Sequence, residues 1–250
     1  MPIFESESFV LKSYSLAEAD RIVVFYTRNY GIVRGVAKGA KRLNSKFGST
    51  LEPFSTVNLT YFQKEDRELV TIQNAELLRS AFASASDPRL LTLFSYLSEL
   101  LIAFQPPNDP NEIVYRMIRA CLETKADSAV QTESLALYFE FWLLKLAGYM
   151  PDWSVCKSCG LTFKESADVI LADGFYFYCP ACRKNSGSAF SYRMLELCFR
   201  ANRSAPADFV QYAEPFRENV MQISAIMKLM INQAIGRDLA MVSAEESRAV

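Results

Sequence analysis

The pattern of hydrophobic positions changes period near residue 75, from a strand period to a helix period. Before that point, short segments rich in Val, Ile, Tyr, Phe and Thr are separated by polar turns, which is typical of β-strands. The strands are predicted over residues 9–14, 21–27, 31–38, 57–63 and 68–73. Five short strands in about 80 residues indicate a small barrel, and the OB-fold is the common five-stranded version.

The third predicted strand has one face of small side chains and one face that carries charge. A strand period of two places Arg34, Val36 and Lys38 together on one side. The side chains at positions 33, 35 and 37 are Val, Gly and Ala, which suit the inside of a tight barrel. We therefore expect Arg34 and Lys38 to point outward and to continue into Gly39-Ala40-Lys41-Arg42.

After residue 75, apolar residues recur every three or four positions, which is the period of an α-helix packed on a core. Ser86-Asp87-Pro88 supplies an N-cap and a proline for a first turn. Asp109-Pro110-Asn111-Glu112 resembles a capping box with Pro110 as the first helical residue, and it predicts a helix that ends near Leu122. Three further helices are predicted over residues 133–147, 192–202 and 215–235, with glycine after the first and the last.

Charge is distributed unevenly, although the whole chain is nearly neutral. The 250 residues hold 27 Lys and Arg against 28 Asp and Glu, for a formal net charge of −1. Residues 21–50, however, contain seven basic side chains and no acidic one: Arg21, Arg28, Arg34, Lys38, Lys41, Arg42 and Lys46. Such a cluster is either a solvated surface or a positive field for a polyanion, and the outward face of the third strand favours the second interpretation.

Composition excludes several classes of function. The chain has no histidine, so a His-based triad, a His general base and a His metal ligand are all excluded. Hydrophobic residues make up 50% of the chain and charged residues 22%, as in globular proteins with a packed core. The apolar runs are far shorter than the roughly 18 residues that cross a bilayer, and no signal peptide is recognised. A soluble cytosolic protein is expected, in which the six cysteines are thiols or metal ligands rather than disulfides.

Four cysteines form the strongest motif in the sequence. Cys156-Lys-Ser-Cys159 and Cys179-Pro-Ala-Cys182 are C-x2-C pairs separated by the 19 residues 160–178, which is the spacing of four-cysteine zinc sites. Between them, Asp173-Gly174 indicates the turn of a β-hairpin, so the segment predicts a zinc ribbon, with a redox pair or a chance arrangement as the alternative. Four thiolates close the coordination shell, so we expect one structural Zn²⁺ and no metal catalysis. Cys121 and Cys198 lie among apolar residues of predicted helices and are expected in the core.

The order of several short motifs identifies a family. These motifs are Phe9-Val-Leu11, Thr27-Arg-Asn-Tyr-Gly31, Val36-Ala-Lys-Gly-Ala-Lys-Arg42, Leu51-Glu-Pro-Phe54 and Gly148-Tyr-Met-Pro151. Followed by the two cysteine pairs, they resemble the bacterial RecO family of recombination mediators over most of the chain. The basic run 37–42 and the step from Gly-x-x-Pro into the four cysteines are specific in combination. The last 20 residues match the family poorly, so no function is assigned to them.

The resemblance implies an α+β multidomain protein. An N-terminal OB-fold β-barrel would be followed by an α-helical domain, with the four-cysteine zinc-ribbon module inserted between its helices. The implied limits are residues 1–79 for the OB-fold, 80–153 and 189–250 for the two parts of the helical domain, and 154–188 for the zinc module.

The resemblance also implies DNA repair and homologous recombination in the RecF pathway, without catalysis. Members of the family bind single- and double-stranded DNA, anneal complementary strands and, with RecR, help load the RecA recombinase onto DNA coated by single-strand-binding protein. The implied partners are DNA, RecR, in some members RecF, and the acidic C-terminal tail of the single-strand-binding protein. The implied location is the cytoplasm, in association with the nucleoid and not with a membrane.

Three sets of residues are candidates for these contacts. DNA phosphates are expected to bind the cations Arg21, Arg34, Lys38, Lys41, Arg42 and Lys46. DNA bases are expected to stack on Tyr26, Tyr30, Phe47 and Tyr61, for which ordinary barrel core is the alternative. The tail of the single-strand-binding protein is expected to meet Arg116, Arg119 and Arg200, for which surface charges opposite a core stripe are the alternative.

Two other functions remain open from the residues alone. A zinc-stabilised RNA-binding or RNA-processing protein would also combine an OB-fold with a zinc ribbon, but the sequence contains no phosphate-binding glycine motif and no isolated acidic pair. A zinc-stabilised scaffold that binds only protein would leave the basic segment 21–50 without a role. We therefore predict a DNA-binding protein that is not an enzyme.

Overall fold

A computed structural model describes residues 2–64, 68–80, 87–164, 168–183 and 187–236 of the chain. The chain divides into two compact units, of which the first ends at Leu122 and the second begins at Glu123. The first unit contains the predicted barrel, and the second contains the four cysteines. Ser86 of the predicted helix cap and the poorly matching C-terminal residues from 237 onward lie outside the described residues.

Five strands close into the barrel of the first unit. They are β1 (Ile3–Leu16), β2 (Asp20–Thr27), β3 (Gly31–Ala37), β4 (Thr56–Phe62) and β5 (Val70–Arg79). Their order around the barrel is β1-β2-β3-β5-β4, in which β3 and β5 are parallel and the other neighbours are antiparallel. The predicted five-stranded OB-fold barrel is therefore confirmed.

The first strand is much longer than the prediction of 9–14, because closure of the barrel requires it to pair twice. Its first half pairs with β4, from Ile3 opposite Phe62, and its second half pairs with β2, as far as Leu16 opposite Asp20. A bulge near Lys12 lets one strand serve both neighbours, since an extra residue bends the strand and increases its twist.

The inside of the barrel is filled by side chains from all five strands and from the segment between β3 and β4. In β3, the predicted alternation is confirmed: Val33 and Ala37 belong to the core, whereas Arg34 is exposed. Gly35 lies where β5 approaches, and a Cβ atom there would lie 2.8 Å from the side chains of both Val70 and Ile72. A larger residue at this position would overpack the core at the parallel pairing of β3 with β5.

In the described part of the first unit, two helices follow the barrel. Helix α1 (Pro88–Phe104) begins as predicted, with the Asp87 side chain accepting a 2.9 Å hydrogen bond from the Arg89 N–H. Helix α2 (Glu112–Glu123) begins later than predicted. The interpretation of Pro110 as its first residue was wrong, because the Asn111 side chain accepts the N–H groups of residues 113 and 114 and is itself the cap.

Four α-helices are found among the described residues of the second unit. They are α3 (Ala129–Leu146), α4 (Tyr192–Arg203), α5 (Pro206–Ala213) and α6 (Arg217–Ile235), with a short 3-10 turn over Glu214–Phe216. The sequence missed α5, which has only eight residues and no side-chain cap. Helix α6 ends as predicted at Gly236, whose φ of 71° is left-handed and therefore favours glycine.

The cysteine-containing segment folds as a small three-stranded antiparallel sheet in the order β7-β6-β8. The strands are β6 (Val169–Ala172), β7 (Tyr176–Tyr178) and β8 (Ser188–Phe190). The hairpin of β6 and β7 was predicted and β8 was not. Trp153 stacks on Phe177 with ring centroids 4.6 Å apart, and Phe190 lies at the same distance from Phe177, so the sheet has its own aromatic core. Within the described ranges, no helix combines the length and apolar character needed to cross a bilayer.

Candidate metal centre and nucleic-acid surface

The sulfur atoms of Cys156, Cys159, Cys179 and Cys182 all lie within 4.8 Å of one another. The Sγ atoms of Cys159 and Cys179 are 3.9 Å apart. Two sulfurs bound to one tetrahedral Zn²⁺ at about 2.3 Å would be roughly 3.8 Å apart. The four side chains therefore have the spacing that a single thiolate-bound metal ion requires.

Backbone hydrogen bonds hold the two cysteine pairs in tight turns. The Gly160 N–H donates to the Cys156 carbonyl at 2.9 Å, and the Cys182 N–H donates to the Cys179 carbonyl at 3.0 Å. The Cys179 N–H also donates to the Cys156 sulfur at 3.3 Å, which links the two turns. Each turn thus aims two sulfurs at the same point.

The pKa values of two cysteines are shifted in opposite directions. Burial raises the pKa of Cys156, but hydrogen bonds from the N–H groups of Cys179, Cys159 and Ser158 outweigh that effect and lower it to about 6. Hydrogen bonds to Cys179 and Cys159 raise the pKa of Cys182 to about 12. The site thus stabilises one thiolate by itself, and a bound cation would stabilise the others. Four sulfur donors favour a soft or borderline metal ion over Mg²⁺ or Ca²⁺.

The other two cysteines have a different environment. Cys121 and Cys198 are buried, and burial raises the pKa of each thiol well above its ordinary value. Both therefore remain protonated at neutral pH, and the prediction that they are core residues is confirmed.

The basic segment forms an exposed surface on the barrel, at β3 and the turns that follow it. Arg34, Lys38 and Arg42 are exposed, and no carboxylate among the described residues pairs with any of them. The turns are held in place by the Gly39 N–H, which donates to the Asp20 side chain at 2.7 Å. Phe47 further along the segment is buried in the barrel core and anchors it. These three cations form the open part of the surface.

The remaining cations of the segment have partners. The Lys41 ammonium donates to the Ala17 carbonyl at 3.0 Å, and the Lys46 ammonium donates to the Gln73 carbonyl at 2.5 Å. Neither carbonyl neutralises a charge, so both lysines still add to the positive field. Arg21, by contrast, pairs with the Glu52 carboxylate at 3.1 Å.

Arg28 does not contribute an open charge to this surface, because it pairs with a carboxylate that is distant in sequence. Its guanidinium donates to both oxygens of Glu112, at 2.8 and 2.7 Å. This hydrogen bonding lowers the pKa of Glu112 below its ordinary value. A bidentate pair satisfies the planar donors that would otherwise bind a phosphate.

Sequence reasoning missed a groove that begins beside Arg34. It has a volume of about 860 Å³, and Phe4, Arg34 and Lys64 are among the residues that line it. Glu68 lines it too and is the one carboxylate among the described lining residues. Because the lining comes from separate strands and loops, no local pattern in the sequence could indicate the groove.

Three of the four predicted stacking residues are inside the protein. Tyr26, Phe47 and Tyr61 are buried, and burial raises the pKa of Tyr26 to about 12. Tyr30 is half-buried and packs edge-on against Phe4, with ring centroids 5.3 Å apart. A buried ring offers no face to a base. In this structure, Tyr26, Phe47 and Tyr61 are therefore ordinary core residues rather than stacking residues.

The three predicted tail-binding arginines lie on two helices, two of them on α2 and one on α4. In the first unit, Arg116 is exposed on α2, and Arg119 forms an ion pair with Glu7. In the second unit, Arg200 of α4 is exposed and lies 4.5 Å from the centre of the Tyr212 ring. The same unit contains a pocket of about 330 Å³ that is lined by Phe141, Lys145, Trp153, Cys198 and Phe199, among others.

Comparison with known proteins relates these features to a family. The family model described as Recombination protein O N terminal matches residues 1–81, and the one described as Recombination protein O C terminal matches residues 85–240. The chain belongs to the RecO family. The family assignment predicted from the motif order is therefore confirmed, whereas the limits predicted for the individual domains stay predictions.

Similar proteins in three bacteria each bear the name DNA repair protein RecO. The chain is 36% identical to the Koribacter versatilis protein over 65% of its own length and 66% of the relative's. It is 33% identical to the Syntrophotalea carbinolica protein over 67% and 64% of the two lengths. It is 31% identical to the Geobacter metallireducens protein over 73% and 74%. The alignments with the first two relatives thus span slightly less than two thirds of those proteins.

Proposed function

We propose that this chain is a DNA repair protein that mediates homologous recombination in the RecF pathway. In this role it binds single- and double-stranded DNA, anneals complementary strands and, with RecR, helps load RecA onto DNA coated by single-strand-binding protein. Membership of the RecO family supports a role in DNA repair. The structural observation that carries the proposal is the exposure of Arg34, Lys38 and Arg42 without carboxylate partners in the described residues.

Annealing by this surface needs electrostatics and no bond chemistry. Cations that contact phosphates release condensed counterions and reduce the repulsion between two strands. Arg34 lies on β3, Lys38 and Arg42 lie in the turns directly after it, and the ammonium groups of Lys41 and Lys46 add to the field. Because such contacts leave the base edges unread, a bound strand remains free to pair with its complement.

The groove beside Arg34 extends this surface along the barrel. Lys64 at its edge supplies a further cation, and Phe4 supplies an aromatic side chain that is half-buried rather than fully enclosed. We therefore place the DNA backbone along Arg42, Lys38 and Arg34 and towards Lys64. Tyr26, Phe47 and Tyr61 are not part of this path.

In this proposal the metal centre has a structural role and not a catalytic one. The four sulfurs fit one Zn²⁺ with no position left for water or substrate, which makes catalysis by the metal incompatible with the ligand set. A bound zinc ion would join the two cysteine turns and stabilise a sheet of three short strands. Apart from the four cysteines, no residue is assigned to the ion.

Partner binding is proposed by analogy with the family. RecR and, in some members, RecF are the expected protein partners, and the expected location is the nucleoid within the cytoplasm. For the acidic tail of the single-strand-binding protein, Arg200 is a stronger candidate than Arg119, because its charge is held over the Tyr212 ring rather than by a carboxylate. Arg119 would have to exchange Glu7 for the carboxylate of the tail.

The test is the affinity of the purified full chain for a fluorescent single-stranded oligonucleotide, measured by anisotropy at several salt concentrations. The variant Arg34→Glu, Lys38→Glu, Arg42→Glu is expected to lose at least tenfold in affinity, and the slope of log K against log salt is expected to fall by about 2, at about 0.7 per phosphate contact. The charge-matched control is Lys125→Glu, Lys164→Glu, Lys228→Glu, which changes exposed lysines of the second unit. An equal loss of DNA affinity in both variants would show that only the net charge of the protein matters, and it would contradict the proposal.

A further inference from the structure

The zinc-ribbon sheet has an outer face that the proposed function does not use. Strand β7 is at the edge of the sheet, and its central residue Phe177 is fully buried in the aromatic core. Successive side chains of a strand point to opposite sides. Tyr176 and Tyr178 therefore lie together on the outer side, where both are partly exposed.

Each cysteine turn places one cation on one of these tyrosines. Lys157 follows Cys156, and its ammonium lies 4.3 Å from the centre of the Tyr176 ring. Arg183 follows Cys182, and its guanidinium carbon lies 4.6 Å from the centre of the Tyr178 ring. The two rings are two residues apart on an extended strand, a step of about 6.6 Å. Two tyrosines, each with a cation over its ring, thus lie one such step apart along the strand.

The charge of Lys157 remains available to an anion. Lys157 is exposed, and within the described residues no carboxylate pairs with it. Arg183 lies 3.7 Å from Asp173, but that carboxylate is 97% exposed, so water screens the pair strongly. A cation held over a ring is positioned without being neutralised.

We propose that Lys157, Tyr176, Tyr178 and Arg183 form a second contact for single-stranded DNA, with the rings against bases and the cations against phosphates. The inference rests on the proposed function in that DNA is the ligand, but it concerns a different element from the barrel surface. A base that stacks on a tyrosine displaces the cation from the ring towards the adjacent phosphate. Aromatic faces combined with cations are what single-strand binding requires, whereas the bases of a duplex are stacked and present no face to a ring.

The rings and the charges are tested separately in the zinc-loaded full chain, with a single-stranded oligonucleotide and a duplex of equal length. The double variant Tyr176→Leu, Tyr178→Leu keeps apolar bulk and removes the flat ring. It is expected to lose about tenfold in affinity for the single strand, with duplex affinity unchanged. Tyr176→Phe with Tyr178→Phe keeps both rings and is expected to bind like the unmodified protein.

Lys157→Gln is compared with Lys164→Gln, an exposed lysine of the same module that lies over none of the described aromatic rings. Only the Lys157 change is expected to reduce the salt slope for the single strand, by about 0.7. Zinc content and tryptophan emission, read in a Trp142→Phe background so that it reports the buried Trp153, verify that each variant is folded.

Two results would overturn the inference. The first is a folded, zinc-loaded Tyr176→Leu, Tyr178→Leu variant that binds the single strand as tightly as the unmodified protein does. The second is an equal loss of affinity for the single strand and the duplex. The barrel variant distinguishes this failure from failure of the proposed function. If only the Arg34→Glu, Lys38→Glu, Arg42→Glu variant loses affinity for the single strand, the barrel surface is supported and the ribbon contact is rejected. Loss in the ribbon variant alone supports the ribbon contact and rejects the barrel surface.

Discussion

At the scale of single residues, the partner of a side chain decides its role more than its type does. Arg28 and Arg34 lie in the same acid-free segment, and both are exposed. Arg28 is held by both oxygens of Glu112, whereas no carboxylate in the described residues holds Arg34. Because Glu112 is distant in sequence, only the folded chain distinguishes the two arginines.

This difference predicts different responses to the same substitution. Arg34→Gln should weaken binding of single-stranded DNA several-fold and reduce the salt slope by about 0.7, because one phosphate contact is lost. Arg28→Gln should leave the affinity within about twofold, because an exposed ion pair contributes little to stability and its arginine is not open to phosphate. Parallel anisotropy titrations of the two variants check this. A larger loss for Arg28→Gln than for Arg34→Gln would contradict our assignment of the open cations.

The aromatic residues show where sequence reasoning is limited at this scale. Tyr26, Phe47 and Tyr61 lie near the basic segment in sequence, which made them candidates for stacking, but they are buried. By contrast, the partly exposed Tyr176 and Tyr178 could not be selected from the sequence. Their importance depends on cations that reach them from two separate cysteine turns.

At the scale of elements, local signals predict where strands and helices occur, and long-range pairing decides where they end. The β-strand propensities and the caps at Asp87 and Gly236 predict their elements well. The double pairing of β1 and the short strand β8 depend on partners distant in sequence, so the sequence alone underestimated both. The cysteine spacing predicted the four-cysteine cluster, because two tight turns on either side of one hairpin leave few other arrangements.

We expect the ribbon to depend on a bound metal ion, because its core is small. The Trp153 N–H donates to the Phe175 carbonyl at 2.8 Å, and its ring stacks on Phe177. In a Trp142→Phe background, Trp153 is the sole tryptophan of the chain. A chelator that removes zinc should shift its emission to the red as the ring becomes hydrated, and added Zn²⁺, but not Mg²⁺, should reverse the shift.

A matched variant tests the same dependence without a chelator. Cys159→Ser with Cys182→Ser removes one ligand from each turn and should show the red-shifted emission at any zinc concentration. Loss of zinc from the unmodified ribbon with no change in Trp153 emission would show that the sheet is stable without its metal.

At the scale of the whole molecule, net charge describes this protein poorly. A formal charge of −1 conceals the acid-free segment 21–50, whose open cations lie on β3 and in the turns that follow it. The absence of histidine suits a protein whose proposed work is to hold DNA strands rather than to transfer protons. Membership of the RecO family and the charge on the barrel lead to the same proposal by independent routes.

The central claim is that the basic surface of the barrel brings complementary strands together. Its most direct test is the rate of annealing of two complementary oligonucleotides, one carrying a fluorescence donor and the other an acceptor, with zinc-loaded protein at low salt. We predict that the unmodified chain accelerates annealing, that rising salt suppresses the acceleration, and that the Arg34→Glu, Lys38→Glu, Arg42→Glu variant anneals no faster than the strands do alone. Annealing by this variant at the rate of the unmodified chain would contradict the account.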